Sequence, residues 1–298
     1  MTCFVTGASG FIGSNLVLFL KQVGIDSFAI DKHSLKQKKF PILSGAVIHL
    51  AGKAHDLKST SLIEEYNLVN FELTKGLFDE FLKSEAEVFV FISSIKVLDD
   101  KAGDFLDERC KLEGNSPYGV SKRIAEEYIL TNGINSKKRI YILRPCIVYG
   151  KGHRGNLELL NKFVKFNLPW PLGSFDNCRS FCSVDNLNFV ISELIKNKKI
   201  DSGIYHIADD GCISTNDLIK LIGAAQNKRI RILNLNKKLV RIIARIGDKF
   251  NLPFNSSRLE KLTYSLKVSN AKIKAAIGQP LPVKINEGLT QMFSELQS

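Results

Sequence analysis

No apolar run in this 298-residue chain is long enough to cross a bilayer as a helix, so a helical membrane-spanning protein is excluded. The six cysteines (Cys3, Cys110, Cys146, Cys178, Cys182, Cys212) form no Cys-x-x-Cys pair and have no histidine at zinc spacing, so no metal centre is expected. Cys178 and Cys182, the closest pair, are expected to line a loop, and all six thiols to be reduced, as in a cytosolic protein. The first strand begins at Thr2, which leaves no room for a cleaved leader, and a cytoplasmic location is expected. Neither an internal repeat nor a low-complexity tract is present. The charge is +12, but no aromatic-interleaved basic stripe accompanies it, so no nucleic-acid partner is expected. Much of the excess falls late, between Lys228 and Lys249, and reads first as a solvated basic face.

What is present begins at the first residues. Cys3-Phe4-Val5 reads as a short buried strand, followed by Gly7, Gly10 and Gly13 and an amphipathic stretch from Ser14 to Val23. Strand, glycine turn and helix in that order suit a phosphate, because a helix start presents unpaired N–H groups and the positive end of its dipole. Asp31 ends the next apolar run, where a dinucleotide site needs an acceptor for ribose hydroxyls.

Strands at Ala46–Leu50, Val88–Ile92 and Ile140–Leu143 alternate with helical patterns at Thr60–Lys83 and Tyr118–Leu130. This alternation predicts an α/β fold, a doubly wound parallel sheet of Rossmann type spanning residues 1–150. Residues 151–298 are expected to form a smaller, mostly helical substrate-binding part, some segments of which return to the sheet. Helices are expected at Asn156–Phe166, Asp185–Lys196 and Leu218–Ala225, the last after a capping box at Ser214–Asp217, with another bracketed by Ser269 and Gly278. The basic amphipathic stretch Lys237–Lys249 can rest on a membrane surface or pack into the core, and core packing is the expectation.

Tyr118 and Lys122 stand four positions apart, on one helix face. A neighbouring cation lowers a phenol's pKa, which would make Tyr118 a general base, and Ser94 at a strand end can hold the same substrate oxygen. Taken singly these residues are a packed aromatic, a solvated lysine and a strand-end cap. All three follow the glycine turn in chain order.

With the motifs Thr6–Gly13, His49–Gly52, Ser93-Ser94, Tyr118–Lys122, Arg144–Gly150, Pro171–Ser174, Arg179-Ser180 and Ser269–Lys272, the chain resembles the extended short-chain dehydrogenases/reductases. These are the NAD-dependent epimerase/dehydratase proteins acting on nucleotide sugars. The resemblance implies Ser94, Tyr118 and Lys122 as catalytic residues. It implies Gly7, Gly10, Phe11, Ile12, Asp31, Leu50, Ala51 and Asn70, with Tyr118 and Lys122, as the cofactor site. Asn156, Arg179 and Arg258 would meet the substrate diphosphate, beside Ser94 on the sugar. NAD is the implied cofactor, with NADP admitted by Lys32 beside Asp31, and a homodimer built on the helices at Thr60–Lys83 and Tyr118–Leu130 is implied. The stretch from Asp31 to Ala46 is shorter than in the family, and Ile147 stands where many relatives have asparagine. Ile95 and Lys96 follow Ser94 where sugar dehydratases carry acids, which disfavours dehydration. The expected activity is a 4-epimerase of a UDP-hexose or UDP-N-acetylhexosamine, the alternative a reductase of a 4-keto-sugar nucleotide, and below both a non-catalytic dinucleotide sensor. A lipid-linked sugar is a further possible substrate.

Overall fold

The computed structural model describes residues 2–37, 40, 41, 43–53, 63–98, 105–133, 136–153 and 155–296. Up to residue 149 the order is β1 (Cys3–Thr6), α1 (Phe11–Gln22), β2 (Ser27–Ile30), α2 (Lys32–Gln37), β3 (Ser44–His49), α3 (Ile63–Asn67), α4 (Leu73–Lys83), β4 (Glu85–Ile92), α5 (Pro117–Gly133), β5 (Arg139–Pro145) and β6 (Ile147–Tyr149). There follow α6 (Asn156–Lys165), β7 (Phe181–Ser183), α7 (Val184–Lys196), β8 (Gly203–Ile207), α8 (Thr215–Ala225), α9 (Lys237–Lys249), α10 (Ser256–Thr263), α11 (Ala271–Ile277) and α12 (Ile285–Glu295).

The main sheet runs β2-β1-β3-β4-β5-β8, all parallel. Alternate residues feed two cores. Val88 and Val90 face Leu16, Leu20, Leu187 and Val190 of α1 and α7. Phe89 and Phe91 face Leu77, Phe78, Ala125 and Ile129 of α4 and α5. A strand apolar on both faces needs helices on both. Because β1 sends its chain first to β2 and then, through β2, back to β3 on its other side, the strand order reverses between β1 and β3. A crevice opens there at the strands' carboxyl ends.

Beyond β5 the chain builds a second apolar cluster, in which Trp170, Leu218, Ile222, Val240, Leu259 and Leu289 meet, while β8 returns to the main sheet. The expected capping box forms: Ser214 Oγ accepts from Asp217 N at 2.9 Å and donates to Asp217 Oδ2 at 2.7 Å. Gly278 ends α11 at φ 74°, a left-handed cap that glycine adopts without Cβ strain.

Three expectations are corrected. The helix read over Thr60–Lys83 is broken by a π-helical turn, Leu68–Glu72, that turns Asn70 inward; its first residues, 60–62, lie outside the described residues. The thiols are not all reduced, since Cys178 and Cys212 form a disulfide. The cause is tertiary: an antiparallel bridge between Arg179 and Ile213 sets the two cysteines beside each other across 34 residues of chain. Third, α9 gives the core only Val240, Ala244 and Gly247, and leaves its larger aliphatic residues exposed.

Candidate active site

The glycine turn sits at the reversal point of the sheet. Gly7 has φ +68°, and a Cβ there would come within 2.8 Å of the Ala51 nitrogen; a Cβ on Gly13 would lie 2.1 Å from the Gly7 carbonyl oxygen. Gly10 opens α1 with no side-chain cap and no acid in the first turn, so N–H groups at this helix start remain for an outside anion. Phe11, Ile12, Leu50 and Ala51 stand around the same turn, Ala51 N donating to Thr6 Oγ1 at 3.1 Å and Phe11 stacking edge-on against His153. Asp31 follows β2, where its Oδ1 accepts from the backbone of His33 (2.7 Å) and Ser34 (2.8 Å). These bonds, led by that from Ser34, hold its carboxyl below the usual range. They cap α2 and leave lone pairs on Oδ2, which among the described residues meets only Ser34 Oγ. The short Asp31–Ser44 connection holds α2 and no further strand among the described residues.

Ser94 follows β4. Its Oγ accepts from Lys96 N at 3.2 Å, and the turn it opens, Ile95–Val97, packs against α5, which brings Ser94 near Tyr118. Lys122, one turn along α5, is 3% exposed. Its Nζ donates to Ile92 O at 2.8 Å and lies 4.5 Å from the centre of the Phe91 ring. Burial lowers this ammonium to about 8, against the pull of Glu126 the other way. Burial also pushes the Tyr118 phenol up to about 12, with the nearby Ser94 acting downward. The expectation of a phenol lowered by its neighbouring cation is not met, since burial, the largest influence, raises it.

Asn70, fully buried, spends its amide on the scaffold: Nδ2 donates to Lys53 O and Ser121 Oγ, and Oδ1 accepts from Lys53 N at 2.7 Å. It therefore ties the loop after β3 to α5, next to Lys122, rather than offering a free donor. Several groups at this site were given no role by the sequence. His49, held neutral by a burial that takes it to about 3, links Thr6 Oγ1 at 2.7 Å to Thr74 Oγ1 at 2.8 Å. Glu126 is fully buried one turn beyond Lys122 and takes a forked pair from Arg144 at 2.6–3.2 Å. Spacing on α5 could have flagged Glu126, but only the sheet brings Arg144 to it.

On the substrate side, Arg179 donates to Lys261 O at 2.8 Å and to the Tyr264 hydroxyl at 3.2 Å, with its guanidinium 4.7 Å from the Tyr264 ring centre. Its Nε is buried without a partner among the described residues. Lys96 approaches the same ring at 5.8 Å, so Tyr264 joins the segment after Ser94 to the arginine. Arg258 is exposed in the first turn of α10, the helix whose other end Arg179 touches. Asn156 opens α6; its side chain lies outside the described residues.

The residues fit a dinucleotide: an uncapped helix start, a glycine turn that any Cβ would fill, and an acceptor at the end of β2. A model of the NAD dependent epimerase/dehydratase family matches residues 3–208. The chain belongs to this family. It is 28% identical to UDP-glucose 4-epimerase of Vibrio cholerae, over 96% of this chain and 93% of that one. It is 25% identical to N-acetyl-alpha-D-glucosaminyl-diphospho-ditrans,octacis-undecaprenol 4-epimerase of Escherichia coli O157:H7, over 95% and 91%. Among solved structures, UDP-glucuronic acid 4-epimerase from Bacillus cereus in complex with NAD superposes with a TM-score of 0.74 over the whole of both chains at 21% identity. The family member is thus an NAD-dependent enzyme of the epimerase type, built on the extended short-chain dehydrogenase/reductase fold.

Proposed function

We propose that the protein is a 4-epimerase of a UDP-hexose or UDP-N-acetylhexosamine. The observation that carries this reading is the placement of Tyr118 and the buried Lys122 ammonium on one face of α5, against the segment that follows Ser94 at the end of β4. Bound NAD would supply the acceptor, and then the donor, of a hydride at C4, together with a positive charge in the crevice. Gly7, Gly10, Phe11 and Ile12 would hold it, with Asp31 on its ribose hydroxyls. Tyr118 takes the proton of the C4 hydroxyl and later returns it, while Ser94 holds that oxygen. Lys122 has ammonium donors beyond the one given to Ile92, and positive charge near the phenol favours the phenolate. Arg179 and Arg258 take the diphosphate, for which a planar guanidinium fork is suited. Because the hydride leaves and returns, no reductant is consumed.

Proton NMR of UDP-glucose and UDP-N-acetylglucosamine with the purified protein and no added reductant tests this. A growing galacto-configured anomeric signal supports it. An unchanged spectrum from folded protein refutes it and directs the trial to 4-keto-sugar reduction with NADH and NADPH.

A further inference from the structure

Helix α9 has three faces. Val240, Ala244 and Gly247 form the packed stripe, close enough that a Cβ on Gly247 would meet the Phe254 carbonyl oxygen at 1.9 Å. At about 100° per residue, Leu239, Ile242, Ile243, Ile246 and Phe250 centre roughly 110° to one side of that stripe, and Lys238, Arg241, Arg245 and Lys249 roughly 140° to the other. The five apolar residues are each 45–64% exposed, and Leu252 beyond the helix is 47% exposed. From Lys228 to Lys249 the chain carries eight basic residues and a single acid, Asp248, whose carboxylate is occupied in capping α10 through Ser256.

We propose that α9 docks the protein onto an anionic lipid bilayer. Large aliphatic side chains held in water beside a row of cations match a headgroup region, where the aliphatic residues enter the acyl boundary and the lysines and arginines reach lipid phosphates. Both elements are required. A nucleic acid would use the cations and leave the isoleucines in water. A second copy packed across a two-fold axis would cover the isoleucines but set the same eight-cation segment against itself. The packed stripe anchors the helix to the second apolar cluster while the other two faces turn outward, so docking requires no unfolding. The inference concerns location, not reaction, and stands whichever diphosphate-linked sugar the enzyme takes. It has a consequence for the site all the same. α9 packs on α10, and α10 carries Arg258 and receives Arg179, so the diphosphate side of the crevice is one helix away from the docked surface.

The test is flotation of the full chain with vesicles of phosphatidylcholine alone and of phosphatidylcholine mixed with phosphatidylglycerol. It compares wild type, the double variant Ile242→Ser/Ile246→Ser and the double variant Arg241→Glu/Arg245→Glu. All four positions are exposed, and matching thermal midpoints show that the variants fold. Wild type is expected on anionic vesicles only, with partitioning lowered about tenfold or more in each variant. In a separate variant, Ile243→Trp emission should shift to the blue when anionic vesicles are added, over the constant signal of the buried Trp170. Absence of vesicle binding overturns the proposal. So does undiminished binding by the serine variant, which would mean adsorption by charge alone. Conversion of a dimer to a monomer by the serine variant would make the face an interface between copies. RNA binding at an affinity that exceeds vesicle binding and survives the serine substitutions would make it a nucleic-acid surface.

Discussion

Lys122→Met should make the cofactor-free protein more stable at pH 7 while abolishing turnover. Lys122 is buried under the loop after β3, with Phe91 below it and, among the described residues, a single hydrogen bond, to Ile92 O. In the fold the ammonium gives up its proton near pH 8, against an ordinary value of 10.5. Holding the charge inside at pH 7 therefore costs about 3 kcal/mol. Methionine keeps the contact with the Phe91 ring but leaves the Ile92 carbonyl without its donor, a loss of about 1–2 kcal/mol. The variant should thus be about 1–2 kcal/mol more stable at pH 7, a rise of a few degrees in midpoint for a chain of this length.

The pH dependence distinguishes this cause from better packing. Between pH 8 and 10.5 the unfolded chain retains a proton on this lysine that the fold has released, so wild-type stability rises with pH across that window. By pH 10 less than about 1 kcal/mol of the burial cost remains, and the variant's advantage should vanish or reverse. Urea unfolding of both proteins at pH 7 and pH 10, without NAD, measures the difference directly, because groups that titrate alike in both proteins cancel. Equal differences at the two pH values, or a variant less stable at pH 7, would refute the claim that the site keeps a charged lysine at a cost to the fold.

Tyr118→Phe should lower turnover by about two to four orders of magnitude while NAD binding, read by equilibrium titration, stays within a few-fold of wild type. Gly13→Ala drives a methyl into the Gly7 carbonyl and should cost about 1–3 kcal/mol in a thermal melt and lose NAD affinity. Glu126→Gln strands the buried Arg144 guanidinium and should cost about 3–5 kcal/mol in urea unfolding. Replacing Cys178 and Cys212 together by serine opens a crosslink spanning 34 residues and should lower stability by about 2–4 kcal/mol, with no further change on adding dithiothreitol.

The elements of the sheet were legible because each required local chemistry: an unbroken apolar run at Val88–Ile92, a glycine turn at Gly7–Gly13, a capping box at Ser214. The convergence of Ser94 and Tyr118 was legible for a related reason, since both follow from where strands end and α5 begins. What sequence could not give depends on side chains meeting across elements. His49 looks like any polar residue at a strand end until Thr6 and Thr74 close around it. Cys178 and Cys212 are two of six scattered cysteines until the Arg179–Ile213 bridge aligns their segments. Asn70 was read as a cofactor contact, and only the π-helical turn shows its amide spent on Lys53 and Ser121.

The same limit explains the two readings on electrostatics and packing that held only in part. Charge proximity is visible in a sequence: Tyr118 and Lys122 four apart, or cations along α9. Desolvation is not, because it depends on everything packed around a group. At Tyr118 burial is the largest influence and raises the phenol, although a cation stands four residues along the same helix. At α9 the imbalance runs the other way: the amphipathic pattern predicts burial, but the fold has room for one narrow stripe and leaves five large apolar residues in water. The Tyr118 phenol is thus held protonated by its burial, and five large apolar side chains of α9 stand in water. In both places the isolated chain holds a group away from its preferred state, and a binding partner supplies what is missing.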